Sequence, residues 1–275
     1  MNAEARTNRQ PAQPHIEVLK LCKSFGETPV LQDVNASFRR GEIAVVIGGS
    51  GSGKTTLLKI LGGLDKPTSG TVLVSGLDIV PLDETELLQV RKRIGMVFQY
   101  SALLDWMTVA ENVAFPLREH SRLRDSEIRE RVAAKLAILG LGEAAGKYPD
   151  ELSGGMKKRV ALGRALILDP EIVMYDEPTS GLDPVMARVV DQLIVDTRDR
   201  FGVTSIVISH DMGTALRVAD SVHLLAHGTI VASGSARELL EGESEQAREF
   251  FDASGIDAER LLREHDARAA RAPAA

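Results

Sequence analysis

Nine residues, GGSGSGKTT from Gly48 to Thr56, constrain the fold of this chain more than any other stretch. They follow IAVVI at Ile43 to Ile47, an unbroken apolar run that suits a strand buried on both faces. They lead into TTLLKILGGL, whose pattern predicts a helix. Strand, glycine-rich turn and helix in that order open an α/β unit. Gly48, Gly53, Lys54 and Thr55 complete the spacing G-x-x-x-x-G-K-[ST]. With Gly49, Ser50, Gly51 and Ser52 between them, small side chains let backbone N–H groups converge on phosphate oxygens, and the helix N-terminus adds a favourable field. Lys54 is placed to reach β and γ phosphates, Thr55 offers its hydroxyl to Mg²⁺, and Thr56 extends the cradle.

A matching acid comes from IVMYDEP. A buried strand here presents Asp176 at its C-terminal end, where open α/β folds bind ligands, and Asp176 is a candidate Mg²⁺ ligand. Glu177 points differently and is the candidate base that polarises an attacking water. Two adjacent acids after a strand are also compatible with a solvated turn, so it is the pairing with the cradle that carries the assignment. In ELSGGMKKRVALGRAL, Ser153, Gly154 and Gly155 precede a helix pattern expected to begin near Met156 and make a second anion site. His210, after SIVIS and beside Asp211, is a further catalytic candidate.

Composition narrows the class. Aromatics are 4% of the 275 residues against 44% apolar overall, so the core must be aliphatic. A formal charge of −6 argues against broad attraction to nucleic acid, and no nucleic-acid partner is expected. The single cysteine, Cys22, excludes an intrachain disulfide. No apolar run reaches the roughly 18 residues of a membrane span, and no signal-peptide core is visible, which points to a cytoplasmic location.

Along the chain, residues 1–14 are expected to be a flexible leader. IEVLKL from Ile16 and VNASF at Val34 to Phe38 look like strands. Asp83 to Gly142 looks mainly helical, with Ile128, Val132, Leu136 and Leu139 on one stripe, which predicts an inserted helical lobe. ARVVDQLIVDTRDR is expected to be a helix with Val189, Leu193 and Thr197 on one side, and SVHLLAHGTIVASG a hairpin turning near His227-Gly228. The last stretch, with Phe250, Phe251, Leu261 and Leu262, fits either a solvated tail or a docked extension.

From Ile16 to Ser235 the chain resembles the ATP-binding cassette (ABC) ATPases. The resemblance implies an α/β P-loop NTPase fold: a RecA-like core with an antiparallel β subdomain and an inserted helical subdomain. The ATPase domain then spans 15–240, its helical subdomain about 100–160. Residues 241–275 would then be a C-terminal helical extension or a tail, the former able to contact the dimer partner. It implies ATP and Mg²⁺ as cofactors, with Phe25 stacking on adenine. Gln99 senses the metal and the membrane partner, and LSGGM at Leu152 to Met156 is the signature. Ser180, Gly181, Leu182 and Asp183 communicate between monomers, and His210 contacts the γ phosphate. In such proteins the signature of one monomer closes over ATP held by the other, so a homodimer is expected.

ENVAFPLREH, LSGGMKKRVALGRAL and IVMYDEPTSGLDPV look most like the ATPases of MCE-associated lipid transport systems, the Mla type among them. This implies an energy subunit moving phospholipid or another lipid. Its partners would be a polytopic permease, an MCE-domain lipid-binding protein and, in some systems, a small STAS-domain protein. It would sit peripherally on the cytoplasmic face of the inner or plasma membrane. Leu103, Leu104, Trp106, Met107 and Val109 form the expected permease contact, with internal packing as the rival. ATPases of polar-solute import or lipoprotein release, and a non-transport regulatory role, share the core motifs.

Overall fold

A computed structural model of the chain describes residues 14–242, together with Glu249, Phe250 and Arg263. The first apolar runs pair locally. Strands β1 (Pro14–Phe25) and β2 (Thr28–Arg39) form a hairpin, turning through Gly26 at φ 60°. Along β1, Ile16, Val18 and Leu21 point inward while Leu19 and Lys20 face out. Strand β3 (Ile43–Ile47) follows, then helix α1 (Lys54–Leu61), and then β4 (Ser69–Val74) and β5 (Leu77–Asp78). The antiparallel sheet has the order β2-β1-β4-β5.

Helix α2 (Glu84–Arg91) starts at Asp83, whose carboxylate accepts from the Glu86 amide in a reciprocal capping box. A difference from the sequence expectation comes next. IGMV, inside the stretch expected to be mainly helical, is strand β6 (Ile94–Val97). Four residues are too few to show a period. Tertiary packing decides their state: a Cβ on Gly95 would lie 2.6 Å from the Ala165 carbonyl oxygen.

The helical lobe contains α3 (Val109–His120), started by a Thr108/Glu111 capping box, and α4 (Asp125–Ile138), which buries Ile128, Val132 and Leu136. Helix α5 (Gly154–Leu166) returns the chain to β7 (Ile172–Asp176). Helix α6 (Pro184–Phe201) buries Ala187, Val190, Asp191, Ile194, Val195 and Thr197, while Val189 is exposed. Val189, Leu193 and Thr197 do share one side, running from exposed through half-buried to buried, beside the stripe that carries most of the burial. Then come β8 (Thr204–Ser209), α7 (Met212–Val218), β9 (Ser221–Ala226), β10 (Thr229–Gly234) and α8 (Ala236–Glu241). The β9–β10 hairpin turns at His227 and Gly228, φ 49° and 76°, as its sequence suggested.

The second sheet has the order β10-β9-β3-β8-β7-β6, parallel except at β10. It is covered on both faces. Ile43, Val45 and Ile47 pack toward the cluster that includes the helical lobe, α6 and α7, whereas Ala44 and Val46 pack toward α1 and the antiparallel sheet. Each fully buried aliphatic side chain contributes roughly 1.5–3 kcal/mol.

Polar contacts join the sheets at two places. The Gln32 amide donates to the Gly228 carbonyl at 2.8 Å. At the other end, Glu171 receives Arg93, Arg40 and the buried His15, which also bonds Thr204 at 2.6 Å. Among the described residues no helix is long and apolar enough to cross a membrane.

Candidate nucleotide and catalytic site

The parallel order brings the C-terminal ends of β3, β7 and β8 together, so the turns after them share one edge. They border a cavity of about 550 Å³ whose lining includes Val30, Lys54, Thr55, Gln99, Glu177 and His210. The loop leaving β3 passes so close to β9 that a Cβ on Gly48 would stand 2.1 Å from the Leu225 carbonyl oxygen. Gly53, at φ 101°, turns the chain into α1 where an L side chain would be strained.

Lys54 is buried, and its Nζ donates to the carbonyls of Gly48 at 2.9 Å and Gly49 at 2.8 Å. Burial lowers its pKa, opposed by the charges of Glu177 and Asp176. The Ser52 hydroxyl in the same loop is buried with no hydrogen-bond partner in the protein. An unsatisfied donor inside a glycine-rich loop at a helix start suits a phosphate oxygen.

Asp176 ends β7 and accepts from the Thr55 hydroxyl at 3.2 Å. Burial raises its pKa, opposed by that hydrogen bond. Two hard oxygen donors, with the Gln99 amide lining the same cavity, fit the way Mg²⁺ is held by a few protein oxygens plus substrate phosphates. Among the described residues no cluster of three or more His, Cys, Asp or Glu offers an all-protein cage.

Glu177 departs from Asp176 by taking a left-handed backbone, φ 48°, while its amide donates to Ile208 at 2.9 Å. Such a conformation costs roughly 1–2 kcal/mol for a non-glycine residue and is held here by β8. It points the carboxylate at His210: Oε2 lies 2.6 Å from Nδ1 and accepts from the His210 amide at 3.4 Å. Gln99 Nε2 donates to the Ser180 hydroxyl at 3.0 Å. Cradle, paired acids, glutamine and histidine therefore meet in one place.

Other candidates lie elsewhere. Phe25 ends β1, 54% exposed, with Lys23 Nζ 4.7 Å from its ring centre; Val30, rather than Phe25, lines the cavity. Ser153 caps α5 and accepts from the Met156 amide at 3.3 Å, so the helix begins at Gly154, ahead of the expected start. Asp183 caps α6 by accepting from Val185 and Met186. Ser153, Gly154, Gly155 and Asp183 do not line the cavity of their own chain. In the loop after Gln99, Tyr100 is 87% and Trp106 73% exposed. Val109 is a correction to the expected contact surface: it is buried in the core as the first residue of α3.

Sequence reasoning passed over Val30, Lys158, Arg164 and the Asp191–Arg217 pair. Val30 carried no motif. Lys158 and Arg164, inside the run after the signature, were assigned no role by the sequence, and both bond the backbone that follows β6. Asp191, buried on α6, pairs with Arg217 at 2.7 Å, and Arg217 also approaches Asp211 at 3.6 Å beside His210.

The family model described as ABC transporter matches residues 31–180. The chain belongs to the ABC transporter ATP-binding family. Among its relatives, the intermembrane phospholipid transport system ATP-binding protein MlaF of Haemophilus influenzae is 42% identical over 86% of this chain and 89% of that protein. The probable ribonucleotide transport ATP-binding protein mkl of Mycobacterium tuberculosis is 40% identical over 92% of this chain and 70% of that protein. The dimeric post-hydrolysis structure of the ATP-binding cassette MJ0796, bound to ADP and Pi, aligns with TM-score 0.72 at 34% identity, covering 80% of this chain and 98% of that one. As an ABC cassette the protein is an ATP-binding ATPase, the energy-supplying subunit of a transporter.

Proposed function

We propose that this ATPase powers lipid transfer between membranes, phospholipid being the favoured cargo. It would work as a homodimer bound to a polytopic permease on the cytoplasmic face of the membrane, with an MCE-domain lipid carrier and, in some assemblies, a STAS-domain protein. The cargo assignment rests on the likeness to MlaF, which extends through most of both chains. The name of the mycobacterial relatives offers ribonucleotide as the competing cargo.

The chemistry rests on the Glu177–His210 pair facing the cradle. On binding ATP, Lys54 exchanges the Gly48 and Gly49 carbonyls for β and γ phosphate oxygens, and the loop amides with the Ser52 hydroxyl surround the phosphates. Thr55 and Asp176 hold Mg²⁺, with Gln99 beside them; the ion supplies neutralisation of phosphate charge. Glu177 takes up the proton of the attacking water, and His210 fixes the Glu177 carboxylate and meets the γ phosphate. Phe25 stacks on adenine, at the outer edge of the site. Ser153, Gly154 and Gly155 lie outside their own chain's cavity, which supports their closing over the ATP of a second copy, with Asp183 at that junction. The exposed Tyr100 and Trp106, with Leu103, Leu104 and Met107, offer the permease a surface.

Glu177→Gln in the purified transporter complex should retain ATP binding while turnover falls by about a hundredfold or more. Undiminished turnover removes Glu177 as the base. With the same complex in liposomes, ATP-dependent transfer of labelled phospholipid supports the cargo assignment. Ribonucleotide movement without lipid transfer overturns it.

A further inference from the structure

The backbone from Gln99 to Ala102 is held in a way that nucleotide chemistry alone does not require. Its Gln99 side chain faces the cavity and bonds Ser180, while its main chain is turned toward α5. Lys158 Nζ donates to the Gln99 carbonyl. Arg164, nearly two helical turns further along α5, spans the next carbonyls, donating to Ser101 at 3.0 Å and to Ala102 at 2.6 Å. Three main-chain oxygens within four residues are thus met by two cations on one helix.

The local conformation shows what these contacts hold. Ser101 and Ala102 are consecutive non-glycine residues in the left-handed region, φ 63° and 45°, and Ser101 is buried. Such a pair persists only where its surroundings over-determine it. Lys158 is withdrawn from water and Arg164 is half-buried. Lys158 is 7% exposed, and burial lowers the pKa of Lys158 and of Arg164. Neither forms a salt bridge with a carboxylate among the described residues. Ordinary packing would not place two uncompensated cations there, since apolar side chains of similar length fill the same space at lower cost.

We infer that Lys158 and Arg164 are positioning residues that fasten the Gln99–Ala102 backbone to α5. Gln99 at the nucleotide cavity and Ser153 at the start of α5 then move as one body. A displacement of the Gln99 amide is carried directly into the helix whose N-terminus is proposed to close over the second ATP. This coupling rests on the placement of Gln99 at bound nucleotide; the fastening itself does not.

The test uses the full-length protein with Lys158→Met, Arg164→Lys and Lys158→Arg. Arg164→Lys keeps the charge but cannot fork across two carbonyls, so it preserves folding while loosening the loop. In nucleotide-free protein, amide hydrogen exchange in the segment 98–104 should quicken by about tenfold in Lys158→Met and Arg164→Lys, with other segments unchanged. Steady-state ATPase should lose about tenfold in kcat with KM within about twofold of the parent, and Lys158→Arg should restore most of it. Wild-type exchange in the segment for Arg164→Lys overturns the fastening, whether or not Lys158→Met folds. Faster exchange with unchanged kcat overturns the coupling. If the parent shows no ATP-dependent change in the exchange of the segment, the placement of Gln99 at nucleotide fails, while the nucleotide-free comparison still decides the fastening.

Discussion

Exchanging Glu171 for Gln tests the joint between the two sheets. Glu171 lies just ahead of β7, and its two oxygens accept from Arg93 at 2.7 and 3.0 Å. Oε2 also receives Arg40 at 3.3 Å and stands 3.2 Å from the His15 ring. These partners, Arg93 first, hold the Glu171 carboxyl at about 2 against an ordinary 4.5. A displacement of that size corresponds to about 3 kcal/mol at most. The side chain is 36% exposed, however, and water screens the pair, which brings the expected contribution to about 1–2 kcal/mol.

The depressed value fixes the sign. The contribution is present in full above the ordinary carboxyl pKa of 4.5 and is lost as pH falls toward about 2. Glu171→Gln keeps the shape of the side chain but removes the charge. Its urea midpoint at pH 7 should therefore correspond to a loss of about 1–2 kcal/mol, and the gap to the parent should narrow steadily below pH 4.5. High salt should narrow it as well, since the pair is partly open to solvent. Equal midpoints at pH 7, or a gap that widens in acid, would show that the cluster does not stabilise the joint.

Gly48→Ala places a methyl 2.1 Å from the Leu225 carbonyl oxygen, so the cradle must move by about 1 Å and kcat/KM for ATP should fall by about a hundredfold. A near-parental value would mean that β9 yields instead. Asp191→Ala leaves Arg217 without its buried partner on α6 and should cost about 3 kcal/mol, read as a lower thermal midpoint. An unchanged midpoint would mark the pair as dispensable.

What the sequence disclosed follows from how local each signal is. The cradle, Asp176 with Glu177, and His210 each occupy a few consecutive residues whose types and order carry their chemistry; the sheet order brings cradle, Glu177 and His210 to one cavity, with Asp176 beside it on the Thr55 hydroxyl. Strand β6 was hidden because IGMV has no room for a period and is made a strand by its neighbour β7 and the close pass of α5. On α6, two adjacent stripes are both largely apolar, and the one actually buried carries a carboxylate neutralised by Arg217 from another helix, which no spacing rule anticipates. Lys158 fails for the same reason. A cation in a polar run predicts a wet surface, and only the folded chain shows carbonyls waiting beneath it.

The position of β3 inside its sheet has a consequence during synthesis. The strand that launches the phosphate loop pairs only with β8 and β9. Once it has left the ribosome, the chain must grow by about 160 further residues before either neighbour exists, which at 5–20 residues per second means on the order of ten to thirty seconds. For that interval IAVVI is a sticky, five-residue β segment with both edges unpaired. The antiparallel hairpin and the helical lobe, built from contacts closer in sequence, can organise earlier. The ATP site is thus among the last parts of the nascent chain to become whole.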